Sequence, residues 1–376
     1  MLSLYIHIPF CVRKCHYCGF YSTTYSSRKV DDFLYALAIE IKGLRQKREN
    51  NVFGTIYIGG GTPTALSEEQ LTELIYMVRG HVPVAADVEW TIEANPNSIS
   101  GRKLALLREG GVNRLSLGMQ SFSDPVLKTL GRLHSAQEAR DAFLTAREAG
   151  FKNIGTDLIY GVPGQSSEDW HDSLDRTIEL KPEHVSLYCL SLDTGSRFMA
   201  EAEAGRFKLP DDEISAAMYE AAVKRLRAAG YERYEISNFS LPGFSCRHNM
   251  NYWQRGEYLG LGPGSWSYVD NRRWRTIADV DEYCRLLKAG ASIVAESELI
   301  DPSQAANETV MLGLRTREGI DLERFELQFN ADARARLEKN GAPLLESGLL
   351  SKIQNRLVLS DSGILVANEV TARLSL

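Results

Sequence analysis

The stretch CVRKCHYC, residues 11–18, places three cysteines within eight residues. It follows directly on LSLYIHI, residues 2–8, in which apolar and polar side chains alternate as they do in a half-buried strand. The remaining cysteines each stand alone in the chain, as Cys189, Cys246 and Cys284. A disulfide uses thiols in pairs, and clustered cysteines in a reducing compartment are more often metal ligands. The run therefore predicts a metal site at the end of a first strand.

The metal itself has two candidates at this point. Zinc normally takes four ligands, so three thiolates need a histidine, either His16 or His7, to complete a Cys3His site. His16 follows Cys15 directly, which makes simultaneous binding awkward. An iron–sulfur cluster held by three thiolates leaves one iron open to a substrate or cosubstrate. Three buried structural cysteines are a weaker alternative, because the run is polar.

Size and composition are those of an ordinary globular protein. The chain has 376 residues, 44% hydrophobic and 24% charged, with a formal net charge of -6. This length suits one large domain and a small one. The acidic balance gives no basic field for nucleic acid, and no apolar run approaches the ~18 residues of a membrane-spanning helix. The first ten residues lack a basic region, so we expect no signal peptide and a cytoplasmic location.

Strand patterns alternate with longer amphipathic helices through the first half of the chain. The predicted strands are 2–8, 54–59, 87–94, 112–119, 152–161 and 183–192. The predicted helices between them are 28–49, 67–80, 100–111, 123–131, 135–149 and 166–181. Six β-α units at this spacing predict a parallel sheet with helices outside, either open or curled into a partial barrel.

The second half is less regular. One further helix is predicted at 211–231, and the stretch 232–275, rich in aromatic residues, Asn and Gly, is interpreted as irregular. After residue 301 the pattern predicts helices followed by a short hairpin and a last helix. Helices followed by a hairpin are typical of a winged-helix-like module.

Polar residues recur on one face of the predicted strands. Alternation places Tyr5, Glu93, Gln120 and Asp157 on the same side or edge of the sheet. Strands of a parallel sheet covered on both faces are normally apolar throughout, so a polar face indicates a lumen that binds something. Distinctive motifs also follow four strands, and ligands bind at that edge of parallel α/β folds. They are the cysteine run, GGGTP (59–63), EANP (93–96) and GMQSF (118–122).

C-x3-C-x2-C after a first strand, with GGGTP after the second, resembles the radical SAM superfamily. The wider set resembles one branch of it, the relatives of oxygen-independent coproporphyrinogen III oxidase, and within that branch the HemW-type heme chaperones. The matching stretches are LYIHIPFCVRKCHYCGFYS, IGGGTPT, EANP, NRLSLGMQSF, GRLHS, DLIYGVPGQ and HNMNYW. The resemblance implies an α/β fold, a partial (β/α)6 barrel with an extension and a small C-terminal helical, winged-helix-like domain. The implied parts are a core at 1–240, an extension at 241–300 and a C-terminal domain at 301–376.

The same resemblance assigns site residues. A [4Fe-4S] cluster would be bound by Cys11, Cys15 and Cys18. S-adenosylmethionine would chelate the open iron and contact Tyr5, Gly60, Gly61, Thr62, Glu93, Gln120, Arg132 and Asp157. These residue types suit the ligand, because glycine exposes the backbone, a carboxylate can bind a ribose diol and arginine can pair with a carboxylate.

Two features separate a carrier from an enzyme within the branch. The oxidase has a fourth cysteine two residues after the third, where this chain has Phe20. The chaperones carry the motif present here as HNMNYW, residues 248–253, in which His248 is the first candidate heme ligand and Cys246, just upstream, the second. Spacing alone would make His248 an ordinary core residue.

The function implied is a heme carrier that passes heme to an acceptor protein, with respiratory enzymes as one acceptor class. The alternative is oxidative decarboxylation of coproporphyrinogen III, so the sequence leaves enzymatic activity open. A zinc-dependent or nucleic-acid-binding protein is a third class, against which the acidic balance counts.

Overall fold

The computed structural model describes residues 2–47 and 52–376. The central element of the fold is a parallel sheet. Within those residues six parallel strands follow one another in chain order across this sheet. They are β1 (Leu2–Ile8), β2 (Phe53–Gly60), β3 (Val84–Ala94), β4 (Arg114–Gln120), β5 (Ile154–Tyr160) and β6 (His184–Cys189). All six were predicted from the sequence, each to within a few residues.

Helices connect these strands and cover the outer face of the sheet. They are α1 (Ser27–Lys47), α2 (Glu68–His81), α3 (Gly101–Gly110), α4 (Asp124–Leu130), α5 (Ala136–Glu148) and α6 (Ser167–Leu180). Serine residues begin three of them with complete capping boxes, pairing Ser67 with Gln70, Ser135 with Glu138 and Ser166 with Asp169. The predicted end of the first helix, residues 48 and 49, lies outside the described residues.

The sheet extends beyond the six strands on both sides. Further strands are β7 (Glu232–Arg233), β8 (Asn238–Ser240), β9 (Tyr258–Leu261), β10 (Trp266–Val269), β11 (Arg272–Thr276) and β12 (Val294–Leu299). The order across the described sheet is β12-β11-β10-β9-β1-β2-β3-β4-β5-β6-β8-β7. Its first and last strands do not pair, so the curled sheet is a partial barrel, as predicted.

The interpretation of 232–275 as irregular was wrong. The segment contains short strands and one helix, and β9 pairs in parallel with β1. The strands have only two to five residues, which is too short for periodicity to appear. A sequence signal was present in Asp270 and Asn271, whose positive φ angles of 52° and 57° fit the tight turn between β10 and β11.

Alternation along β1 divides the core from the lumen. Leu4, Ile6 and Ile8 are fully buried against the helices. Tyr5 and His7 occupy the opposite face, and the Tyr5 hydroxyl lies 3.1 Å from Nδ1 of His7. The predicted polar lumen is therefore present, and it is built from the side chains that the helices do not cover.

Further helices complete the chain. They are α7 (Arg197–Glu203), α8 (Asp212–Ala228), α9 (Arg247–Trp253), α10 (Val280–Lys288), α11 (Pro302–Gly313), α12 (Leu322–Phe329), α13 (Ala331–Glu346), α14 (Asp361–Leu365) and α15 (Ala367–Arg373). The C-terminal part adds a small sheet of β13 (Ile320–Asp321), β14 (Leu350–Ile353) and β15 (Arg356–Leu359). Its helices and hairpin match the predicted pattern, whereas the domain boundaries remain a prediction. No described helix is long and apolar enough to cross a membrane.

Candidate functional site

A large cavity opens at the C-terminal edge of the parallel strands. Its volume is about 400 Å³, within the roughly 300–1,000 Å³ typical of small-molecule sites. It is lined by the cysteine loop after β1 and by the ends of the following strands. The predicted site residues on its wall are Cys11, Cys15, Cys18, Gly60, Gly61, Thr62, Glu93, Gln120, Arg132 and Asp157. The structure thus brings these ten residues to one cavity.

The three clustered cysteines are free thiols in the described chain. Burial raises the pKa of Cys11 and raises that of Cys18 to about 11, so both are protonated when no cation is near. Thr62 Oγ1 lies 3.8 Å from the sulfur of Cys11. A metal centre would stabilise the thiolates that the bare site disfavours.

The ligand arrangement argues against a single zinc ion. The His16 ring lies 3.0 Å from the Thr129 carbonyl through Nδ1 and 3.1 Å from Arg197 Nη1 through Nε2. His7 contacts Tyr5 and the Tyr21 carbonyl through its two nitrogens. Neither histidine is therefore free to complete a Cys3His site, whereas thiolates spaced around a cavity suit a cluster, in which they bind different irons.

Glu93 lines the cavity and is held by two hydrogen bonds. Its carboxylate accepts hydrogen bonds from the Tyr57 hydroxyl at 2.9 Å and the Gly60 amide at 3.0 Å. Burial raises the pKa of Glu93 to about 7, and these hydrogen bonds partly oppose that effect. Gly59 has no room for a side chain, since a Cβ would lie within 3 Å of this carboxyl group. Near neutral pH, Glu93 can therefore either accept or donate a hydrogen bond.

The glycine run at the end of β2 packs against the segment that leads from β1 into the cysteine loop. Gly60 has a φ angle of +111°, and a Cβ there would meet the His7 ring at 2.5 Å. At Gly61 a Cβ would meet the carbonyl oxygen of Phe10 at 2.6 Å. The Gly61 amide donates to the Ile8 carbonyl at 2.8 Å. Glycine is thus required for the close approach of the two segments.

Arg132 crosses the cavity wall from the loop after α4. Its Nη1 donates to the Cys15 sulfur at 3.3 Å, and its Nη2 donates to the Gly118 carbonyl at 2.8 Å and to the Asn95 side chain. Its buried Nε has no hydrogen-bond partner. Arg132 therefore contacts the cysteine loop and the ends of two strands, and it is not a solvated charge at the end of a helix.

Asp157 and Gln120 occupy the next two strands. Asp157 is partly buried, desolvation raises its pKa, and the Ser116 hydroxyl lies 3.3 Å from its carboxylate. Gln120 ends β4 with a φ angle of +68°, a conformation uncommon outside glycine. Such backbone strain is often found at functional sites.

Tyr5 lies beside the cavity wall. Its ring stacks against Tyr57 with centroids 6.2 Å apart, and Tyr57 lines the cavity. Sequence reasoning did not single out Tyr57, although strand alternation places it on the polar face of β2, beside Tyr5. It also missed Asn95, which lies inside the quoted EANP motif, donates to Thr62 and accepts from Arg132.

His248 and Cys246 lie away from this cavity, at the N-terminal end of the lumen. His248 is 1% exposed, and its Nδ1 and Nε2 lie 2.8 Å from Thr55 Oγ1 and 2.9 Å from the Tyr252 hydroxyl. Burial lowers the pKa of His248 to about 3, so the ring is neutral. Cys246 is fully buried beside Glu89. In this conformation neither side chain is presented to a heme iron.

The ring proton of His248 can be assigned from its surroundings. Thr55 donates its hydroxyl proton to Ser3 at 2.8 Å, so Nδ1 of His248 donates to Thr55. Nε2 is then the acceptor of the hydrogen bond that the Tyr252 hydroxyl donates. The lone pair that an iron would need is already used within the lumen.

Comparison with known proteins places the chain in a family. Residues 5–177 match the radical SAM superfamily, and residues 300–366 match the HemN C-terminal domain. The chain is 36% identical to a protein named heme chaperone HemW from Bacillus subtilis (strain 168), over 98% of both chains. It belongs to the HemW family of radical SAM proteins. A second HemW, from Mycobacterium tuberculosis (strain H37Rv), is 38% identical over 99% of this chain and 94% of its own.

A solved structure shows the same fold over the whole of this HemW-family chain. It is the coproporphyrinogen III oxidase HemN from Escherichia coli, described as a radical SAM enzyme. The TM-score is 0.87 at 25% identity, covering 100% of this chain and 90% of HemN. The predicted fold class, a partial radical SAM barrel with a C-terminal domain, is confirmed. Membership of the superfamily implies an iron–sulfur cluster and S-adenosylmethionine.

Proposed function

We propose that this chain is a cytoplasmic heme carrier that binds heme and transfers it to an acceptor protein. The observation that supports this most directly is full-length similarity to relatives named heme chaperones. The absence of a fourth clustered cysteine at Phe20 points the same way. Respiratory heme proteins are the proposed class of acceptor, and porphyrin metabolism is the proposed setting.

We propose that Cys11, Cys15 and Cys18 bind a [4Fe-4S] cluster. Their thiols line one cavity, and neither nearby histidine has a free ring nitrogen. Such a cluster would supply one open iron for the amino and carboxylate groups of S-adenosylmethionine, and an electron for its cleavage. Arg132, donating to the Cys15 sulfur, would help to hold the negative charge of that thiolate.

The proposed binding residues for S-adenosylmethionine divide by chemistry. Glu93 has carboxylate oxygens suited to an ammonium group, and Arg132 has an unpartnered Nε suited to a carboxylate. Asp157 is suited to the ribose hydroxyls. Backbone groups of the glycine run and the Gln120 side chain would complete the wall, while Tyr5 would act by packing on Tyr57. The residues of the glycine run proposed to contact S-adenosylmethionine are Gly60, Gly61 and Thr62.

Heme binding by His248, with Cys246 as the second candidate ligand, remains a prediction. It would require a change of conformation. Heme could reach Nε2 of His248 only after Tyr252 leaves it and α9 moves away from the lumen. Heme binding should therefore be tested at helix α9 and also at a surface that is accessible without a conformational change.

The alternative function is oxidation of coproporphyrinogen III, and the full-length likeness to HemN is what favours it. One assay separates the two. The anaerobically purified protein is incubated with coproporphyrinogen III, S-adenosylmethionine and a reductant, and separately with heme and an apo-acceptor. A carrier loads the acceptor and leaves the porphyrinogen unchanged, whereas appearance of vinyl products would overturn the carrier assignment.

A further inference from the structure

Exposed apolar side chains surround the mouth of the lumen cavity. Phe20 lines the cavity and is 65% exposed, and Tyr188 lines it at 44% exposure. Val12 and Leu133 are exposed beside the smaller cavity that shares Arg132 with it. Large exposed apolar side chains grouped at a cavity are typical of a binding surface.

Two cationic side chains lie at the same cavity mouth, which we call the rim. Arg13 and Lys14 are exposed, line the cavity and form no ion pair within the described residues. A carboxylate is also present, that of Asp193, which accepts a hydrogen bond from the Ser191 hydroxyl at 2.8 Å. The rim thus offers apolar surface together with two cations that are available to an anionic ligand.

Heme combines the two properties that this rim complements. Its porphyrin ring is flat and apolar, and flat rings stack on aromatic side chains. Its two propionates are carboxylates, which pair with arginine and lysine. Binding at a rim also leaves one face of the ring open to an acceptor protein, whereas the buried His248 would have to be uncovered before each transfer.

We propose that heme is held at this rim, with one porphyrin face against Phe20 and the propionates near Arg13 and Lys14. The inference rests on the proposed function of heme carriage and changes the place of binding from α9 to the cavity mouth. Phe20 then does more than replace the oxidase cysteine, because it forms the platform on which the cargo lies.

The experiment is a heme titration of the full chain with its cluster reconstituted, followed anaerobically by Soret absorbance. Phe20→Ala is expected to weaken heme binding about tenfold, the order of magnitude of losing one stacked ring. Phe20→Trp should bind at least as tightly as wild type. Tyr76→Ala is the matched control, since Tyr76 is also 65% exposed but lies on α2, and it should bind normally.

The propionate contacts are tested with heme dimethyl ester, which keeps the ring but loses both charges. A double substitution of Arg13 and Lys14 by Gln should weaken heme binding and leave ester binding unchanged. Iron and sulfide contents are measured in each variant. If Phe20→Ala loses its cluster, Phe20→Trp and the comparison of heme with its ester decide the question.

The outcomes distinguish the two proposals. Normal binding by Phe20→Ala together with lost binding by His248→Ala would overturn the rim site and leave heme carriage standing at α9. A wild-type protein that binds no heme would overturn heme carriage itself. Weakened binding by Phe20→Ala, with His248→Ala like wild type, would support the rim.

Discussion

Arg132 donates a hydrogen bond to the sulfur of Cys15 at 3.3 Å, across 117 positions of sequence. The same guanidinium reaches the Gly118 carbonyl and the Asn95 side chain, so one cation joins the cysteine loop to the ends of β3 and β4. Its remaining buried donor, Nε, is unpaired. This arrangement positions the proposed cluster loop and leaves a donor for a bound anion.

Replacing Arg132 by Lys should weaken S-adenosylmethionine binding about tenfold or more, because an ammonium group cannot reproduce the planar fork of donors. Titration calorimetry on the anaerobic protein measures this. Arg102→Lys is the control, since the Arg102 side chain is 86% exposed and forms its ion pair with Glu68 instead of lining the cavity. Equal affinity in wild type and Arg132→Lys would remove Arg132 from the site.

Anaerobic purification should give a brown protein with about four irons per chain. Substituting Cys15 by Ser should abolish iron binding, whereas His16→Ala and Cys284→Ser should keep it. Iron, sulfide and zinc analysis of the four proteins is the measurement. A colourless protein with one zinc, lost on substitution of His16, would contradict the cluster and favour Cys3His.

Gly60→Ala should destabilise the lumen by about 1–3 kcal/mol, since Gly60 has a φ angle of +111° and a Cβ there would overlap the His7 ring. Thermal unfolding of the apo-protein measures the loss. Gly80→Ala in α2 is the matched control, because a Cβ at Gly80 would meet no atom of another segment within 4 Å and alanine favours a helix. A Gly60→Ala protein as stable as wild type would show that the loop relaxes freely.

Glu89 anchors α9. Its carboxylate accepts from the amides of Arg247 and His248 at 3.0 Å each and interacts with the buried Arg114. Glu89→Gln should cost roughly 1–3 kcal/mol, because the amide keeps one acceptor oxygen and leaves one of these two backbone amides without its partner. Hydrogen exchange of α9 amides reports this locally. The exposed Glu73→Gln should change nothing, and unchanged exchange in Glu89→Gln would contradict the anchoring role.

Glu40 should make stability fall as pH rises. Burial raises its pKa to about 7, from a reference of 4.5, although Tyr283 and the Gly262 amide donate to it. The protonated form is favoured in the fold, so its stabilisation is complete below pH 4.5 and is lost as pH passes 7. The effect is up to about 3 kcal/mol.

Glu40→Gln should therefore unfold at higher urea than wild type at pH 8 and similarly at pH 4.5. The difference between the two proteins isolates Glu40, because Glu93 titrates in the same pH range and is present in both. A difference that does not vary with pH would contradict the raised pKa.

The six β-α units could be predicted because each strand and helix is long enough to show its period. The extension could not. Strand β9 pairs with β1 from more than 250 positions away, and no local pattern in four residues encodes that partner. The hairpin at Asp270 and Asn271 did carry a local signal, in the residue types of its turn.

At the site, strand alternation correctly placed Glu93 and Asp157 in the lumen, because the side-chain period is a geometric property of any strand. Contacts between loops could not be derived in this way. The hydrogen bond from Arg132 to Cys15 and the burial of His248 depend on the packing of segments that are distant in sequence. The sequence thus indicates which residues share a face and leaves open which of them touch.

The position of helix α9 bears on the order in which the two proposed ligands would bind. Since the buried His248 of α9 lies at the lower end of the lumen in the described chain, the proposed S-adenosylmethionine and heme would share the upper entrance. S-adenosylmethionine would have to load first, and heme on the rim would then trap it. Heme, as the last ligand to bind, would then have to dissociate before S-adenosylmethionine could be exchanged.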